Sequence, residues 1–403
     1  MVGDQTILLI LSTYFVIATI GYLFDRYLKM PWMFTVVVFA MFLSGFGLFK
    51  DVFQSESFQF LAEMGMLLFL FTIGIDLNLE EIRKLGRYII LGGTLLPLVE
   101  GTLIAVFFYS VFPAFVSYSF PVALLAGIAF GTIGEVVLLA ILKQFGVENT
   151  RFGQLALGLG VFDDIFEFLV LCGIVVFPAL ATTGEQSHAL GDVVQIMLTL
   201  AGIIIATIIL ARLGDRSRKL LERIDEKSFV LPFAFFLVIF SFIYFSSTKF
   251  GDLGVIAAIF SGIAVKQVMP KKFVEQYKRP IFFVANIFLG PFFFLKVGGG
   301  ISFTASFAYL WVVAAIVLIS LLSRVLVSYL VFREAIGGQQ SVILGIGLCT
   351  KFSTSIVSEN LLFTSGLIAG PLYSVIMLSY VVMKPVIIGV FSRGLATVKH
   401  TLS

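Results

Sequence analysis

Gly158-Leu-Gly-Val-Phe-Asp-Asp-Ile-Phe-Glu-Phe-Leu-Val-Leu171 lies inside an apolar run from Phe152 to Leu180. That run is long enough to cross a bilayer, which takes about 20 apolar residues. Each aspartate near the middle of such a helix costs about 2.5–3.5 kcal/mol on insertion scales. Asp163 and Asp164, followed by Glu167, therefore need a cation, a basic partner or a water-filled cavity. The stretch decides the fold class, because acids at this depth require a surrounding bundle of membrane helices.

Working outward, the chain has 403 residues, 59% hydrophobic and 13% charged. Soluble domains carry about 25% charged residues, so this is an integral membrane protein. Cys172 and Cys349 lie in apolar runs, and His188 and His400 lie far apart in polar segments. Neither a disulfide framework nor Cys/His metal spacing is present. The first apolar run lacks the basic flank of a cleavable signal. No resident cofactor and no nucleic-acid partner are expected.

Apolar runs bounded by polar or Gly/Pro residues give about thirteen spans. They cover residues 6–24, 31–49, 57–76, 87–112, 119–145, 152–181, 192–211, 229–247, 251–268, 280–300, 306–332, 339–367 and 370–392. Connections are short, so no soluble regulatory domain is expected within this chain. The charged segment Gly214–Lys227 reads as a solvated loop, with a surface helix as the alternative. Basic residues fall on alternate loops: Arg83 and Lys84, Arg216 and Arg218, Lys271 and Lys272 are examples. Lys50 and Lys249 stand on the opposite side. This bias places the C-terminus in the cytoplasm and, with an odd helix count, the N-terminus outside.

Gly65-Met-Leu-Leu-Phe-Leu-Phe-Thr-Ile-Gly74 echoes Gly290-Pro-Phe-Phe-Phe-Leu-Lys-Val-Gly-Gly299 in its glycine and aromatic spacing. Each is followed by a long span and then by a span with a polar interruption. The interruptions are Ala129-Phe-Gly-Thr-Ile-Gly-Glu135 and Gly345-Ile-Gly-Leu-Cys-Thr-Lys-Phe-Ser-Thr354. An odd number of crossings separates the units, so they form an inverted repeat with two broken, crossing helices. Such interruptions at matching places mark a transporter site near the midplane.

Asp163 and Asp164 diverge by about 100° around one helix, and Glu167 follows on roughly the same side as both. A hard monovalent cation wants carboxylate, hydroxyl and backbone carbonyl oxygens. Asp164, Thr132 and the unwound backbone near Gly131–Gly134 offer them. The same carboxylate can instead hold a proton, and competition between the two is antiport. The alternative is that the acids only tie helices together, which suits Asp163 and Glu167 better than Asp164. Glu135 and Lys351 stand at the two interruptions, where they would neutralise half-helix ends. Lys296 and Arg324 are both candidates to pair with Asp163. Glu100 and Glu359 are pairing partners or polar residues of the core. Lys384, near the end of its span, is expected to snorkel to the surface. Gly158 and Gly160 let two broken helices approach.

These stretches together resemble the monovalent cation:proton antiporter family, the membrane domain of sodium/hydrogen exchangers. The resemblance rests on Leu28-Lys-Met-Pro-Trp32 leading to Leu43-Ser-Gly-Phe-Gly-Leu48, and on Leu61–Leu77. It continues through Gly131-Thr-Ile-Gly-Glu135, Asn149-Thr-Arg-Phe-Gly-Gln-Leu-Ala156 and Asp163-Asp164, in the family's order. It implies a homodimer with a core of residues 57–181 and 280–392 and a dimerisation scaffold of residues 6–49 and 192–268. It implies that Asp164 is the ion- and proton-carrying acid and Thr132 a polar residue of the first crossover. Asp163 matches the position where an acid is associated with electrogenic sodium exchange, and Arg324 falls where the family keeps a basic partner for it. Acids at Glu135 and Glu167, and a base at Lys296, depart from the family pattern.

The function expected is Na+/H+ antiport by alternating access at a bacterial inner membrane, in a lipid environment and without enzymatic chemistry. K+/H+ antiport is the first alternative. A sodium-coupled organic-anion symporter, with Lys296 and Lys351 holding a carboxylate, is the second. A prenyltransferase-like metal site would need a second acidic cluster of similar spacing, which the sequence lacks.

Overall fold

The structure is a computed structural model. It describes residues 2–28, 30–77, 86–181, 189–221, 230–247, 253–351 and 354–402. For residues 2–4, 135–137, 164–165, 178–181, 189–193, 215–220, 247 and 398–402 it describes the backbone alone. The described residues form helices joined by turns and short irregular segments, with no strand among them.

Seven described helices are long and apolar enough to span a bilayer, and four shorter apolar helices accompany them. Each of the thirteen expected runs contains helix. Leucine, isoleucine and phenylalanine side chains such as Leu8, Phe15, Leu198, Phe233 and Leu322 are left exposed. In water this would be an aggregation surface; against lipid tails it is the expected exterior.

By contacts the chain forms two compact units. One comprises Met1–Ser55, Leu79–Val170 and Phe294–Ser403; the other comprises Glu56–Asn78 and Leu171–Phe293. Compared with the division implied by the family resemblance, residues 1–55 group with the broken helices, and residues 56–78 group with 171–293.

In the first unit, α5 (Arg87–Val111) packs along α6 (Phe120–Phe130) and α15 (Leu310–Ile336). Ser119 caps α6 by accepting the Val122 N–H, a usual way to satisfy a helix N-terminus. The α5–α6 approach depends on glycine: a Cβ on Gly127 would run into the Gly101 carbonyl oxygen. The sequence breaks α6 at Gly131, and the chain is non-helical until α7 (Glu135–Phe145) begins. α15 ends at Gly337, whose φ of 87° suits glycine. α16 (Gly338–Gly347) then stops, and α17 (Thr354–Thr364) starts after a second interruption. α18 (Gly370–Leu402) closes the unit and runs past the expected end of its span at residue 392.

In the second unit, α4 (Glu56–Asp76) crosses α11 (Leu253–Val268). Gly74 lies against the Ile259 carbonyl and Gly262 against the Phe71 carbonyl, so the two backbones touch with no side chain between. The two glycine-aromatic echoes of the sequence also meet here. Gly65 backs onto the Leu289 carbonyl, and the Phe58 and Phe292 rings lie 6.4 Å apart. Phe71, Leu231, Phe235, Val265 and Phe273 fill the centre of this unit. α9 (Ala189–Leu221) continues as helix through Gly214–Leu221. The charged segment read as a loop is therefore helical in its described part, because Arg216 to Leu221 contain no helix breaker.

Candidate functional site

The site is built where the two interrupted helices cross in the first unit. The Gly134 N–H donates to the Thr350 carbonyl, and the hydroxyls of Thr132 and Ser355 meet. One interruption therefore hydrogen-bonds to the other through both backbone and side chain. Unwound backbone survives at membrane depth only with partners of this kind.

Two helices, α6 and α16, end at the crossing and leave carbonyls without intrahelical partners. Arg324, on α15 and fully buried, donates Nη2–H to the Gly131 carbonyl and Nη1–H to the Leu348 carbonyl. Lys351 donates to the Phe130 carbonyl at 2.7 Å, with its ammonium 4.5 Å from the Phe130 ring centroid. Both cations thus sit at helix C-termini, the negative ends of the backbone dipoles.

Glu100, on α5, balances both. Its Oε2 lies 2.5 Å from Arg324 Nε and its Oε1 lies 2.7 Å from Lys351 Nζ. All three side chains are buried. The guanidinium is held by Glu100 and two carbonyls, where the family resemblance implied Asp163 as its partner. Of the two roles open to Glu100 in the sequence, pairing partner or polar residue of the core, the structure shows the first.

Asp163, on α8 (Arg151–Ala181), is also buried. Its Oδ2 accepts the Ile133 N–H at 2.5 Å, just ahead of α7. The carboxylate faces the positive end of that half-helix. Its Oδ1 is buried and has no hydrogen-bond partner among the described residues. Thr132 is buried and also donates to the Ala129 carbonyl at 3.3 Å.

The structure therefore brings together Thr132, Asp163, Arg324 and Lys351 of the expected residues, and adds Glu100 and Ser355. Asp164 follows Asp163 on α8, but its side chain, like that of Glu135, lies outside the described residues. Glu167 is buried one turn beyond Asp163, and Lys296 is partly buried on α13 (Gly290–Gly299). Lys384 does not snorkel. It is buried on α18 and reaches the Lys351 carbonyl at 3.5 Å. Gly158 faces Ile89 of α5 rather than a broken helix.

Chemically, the crossing offers a buried carboxylate oxygen, hydroxyls and non-helical backbone beside fixed counter-charges. Such a set can hold a proton or a small hard cation.

The pattern of the sodium/hydrogen exchanger transmembrane family matches residues 15–394. The Na(+)/H(+) antiporter NhaS4 of Synechocystis is 27% identical over 405 residues, covering 94% of each chain. The Na(+)/H(+)-K(+) antiporter GerN of Bacillus cereus is 25% identical over 336 residues, covering 81% of this chain and 80% of GerN. The solved sodium proton antiporter MjNhaP1 of Methanocaldococcus jannaschii superposes with a TM-score of 0.60 at 16% identity, covering 99% of this chain and 97% of that one. It shares the fold. With the family pattern spanning nearly the whole sequence, this chain belongs to the sodium/hydrogen exchanger transmembrane family.

Proposed function

We propose that the chain is a secondary active antiporter exchanging a monovalent cation, Na+ in the first instance, for H+ across a bacterial plasma membrane. The observation that carries this reading is the crossing itself. Two broken helices are held by Glu100, Arg324 and Lys351, and α8 brings the Asp163 carboxylate to the Ile133 N–H beside them. With the helix-end charges already neutralised by Arg324 and Lys351, an acid beside the crossing is left to bind something mobile. Asp164 is the residue that alternates between proton and cation, and alternating access exposes it to each side in turn.

K+ is kept as the second cation because GerN carries both ions in its name. The organic-anion symporter loses support, since Lys351 is held by Glu100 and the Phe130 carbonyl rather than left to grip a substrate carboxylate. The reading includes a homodimer, a cytoplasmic C-terminus and an outside N-terminus, the last two supported by the basic-residue bias. It includes no enzymatic step and no resident cofactor.

The test is proton flux in proteoliposomes with sodium, lithium or potassium added in turn. Cation-dependent proton movement supports the reading, and substrate-driven sodium uptake without a proton gradient contradicts it.

A further inference from the structure

Glu359 is an acid that the exchange scheme above does not use. It lies on α17 and is fully buried. Neither of its carboxyl oxygens has a hydrogen-bond partner among the described residues. A neighbouring hydroxyl is in the same condition: Ser358 Oγ, beside it on α17. Buried polar atoms are nearly always paired, so a group of orphans calls for an explanation.

The position is informative. Glu359 stands four residues after Ser355, hence one turn along the same face of the half-helix. Ser355 is the residue whose hydroxyl meets Thr132 at the crossing. Tyr380 stacks its ring on Phe130, 4.9 Å between centroids, and the Phe130 carbonyl is the one Lys351 caps. Glu359 is therefore one helical turn from the ion site, on an element that belongs to it.

Titratable groups face Glu359 from the interruption and from α18. From the interruption comes Lys351, whose ammonium is already held by Glu100 and the Phe130 carbonyl. From α18 come Tyr373 and Tyr380, and Glu167 on α8 acts on Tyr380 in turn. α6, which also packs on α17, offers no titratable side chain. No basic group lies within 4 Å of Glu359 among the described residues. Burial without partners therefore favours the neutral, protonated carboxyl over the ionised one.

We propose that Glu359 is a second proton-holding site of the transport core, occupied in the state shown and in exchange with the crossing one turn away. The step is a proton transfer only. The Glu359 O–H bond breaks, an O–H bond forms on the unpartnered Asp163 carboxylate oxygen at the crossing, and the Glu359 carboxylate later takes a proton back from water. The proposal rests on the antiport reading for its functional half, while the presence of the proton stands by itself.

The test uses Glu359→Gln, which keeps size and resembles the neutral acid. Infrared difference spectra on the wild-type protein should show a protonated-carboxyl band that Glu359→Gln removes. Cation:proton exchange should persist in that variant, with the pH of half-maximal rate moved by roughly one unit, the mark of coupled sites. A wild-type band that Glu359→Gln leaves intact overturns the proposal. So does loss of the band with an unmoved pH profile, which would make Glu359 a structural acid alone. If Glu359→Gln does not fold, Glu359→Asp serves, and there the band must move in frequency. If wild-type protein exchanges nothing, the antiport reading fails while the infrared result still decides whether Glu359 holds a proton.

Discussion

Glu100 and Arg324 are 224 residues apart in sequence and lie 2.5 Å apart between Oε2 and Nε, with neither side chain exposed. The same carboxylate holds Lys351, so one acid fixes the two cations that close both half-helix C-termini. Removing one partner of such a buried group leaves uncompensated charge, at a cost of about 3–5 kcal/mol. Glu100→Gln should therefore lower the melting temperature in detergent and abolish exchange together. A variant that melts like the wild type would show that the pair does not hold the crossing.

Arg324 makes three contacts from three nitrogens. Lysine has one ammonium on a flexible stem and cannot replace the fork. Arg324→Lys leaves at least one buried carbonyl unpaired, which costs about 1–3 kcal/mol. The expected result is a partly destabilised protein with reduced exchange, measured by thermal melting and by flux. Wild-type values on both would contradict the assigned contacts.

Asp163 contributes through one oxygen on the Ile133 N–H and one without a hydrogen-bond partner among the described residues. Asparagine retains an acceptor for Ile133 but loses the charge at the start of α7, worth up to ~2 kcal/mol in partly buried settings. Asp163→Asn should fold, bind cation and change the charge moved per cycle. Current recorded from proteoliposomes on a solid support reads this directly. Unchanged charge per cation would assign Asp163 a packing role only.

Gly127 tests the α5–α6 approach that carries Glu100 to the crossing. A methyl group there meets the Gly101 carbonyl, and overpacking of this kind costs about 1–3 kcal/mol. Gly127→Ala should lower thermal stability by that order. Gly202, with open space around it, is the control position, where alanine should be nearly neutral.

Much of this was legible in the sequence. The apolar runs located the helices because membrane spans must be long, apolar and internally hydrogen-bonded. The two interruptions were visible because Gly131, Gly134 and the polar run Thr350–Thr354 break otherwise apolar segments. The acid pair stood out through its cost. What one chain of letters did not reveal was which charges meet. Arg324 could have served Asp163, but two orphaned carbonyls and Glu100 offered it a more complete set of partners. Position along the sequence puts Lys384 near the end of its span, whereas the helix runs on to Leu402 and the ammonium reaches the Lys351 carbonyl. Glu359 gave no signal beyond its charge, since its meaning depends on the hydroxyls around it.

The central claim concerns Asp164, the acid expected to hold a proton or a cation but not both. Its direct test is cation-driven proton flux in proteoliposomes for Asp164→Asn beside the wild type, with folding checked by thermal melting. The account predicts a folded variant in which sodium, lithium and potassium all fail to move protons. Exchange at the wild-type rate from that variant would contradict it.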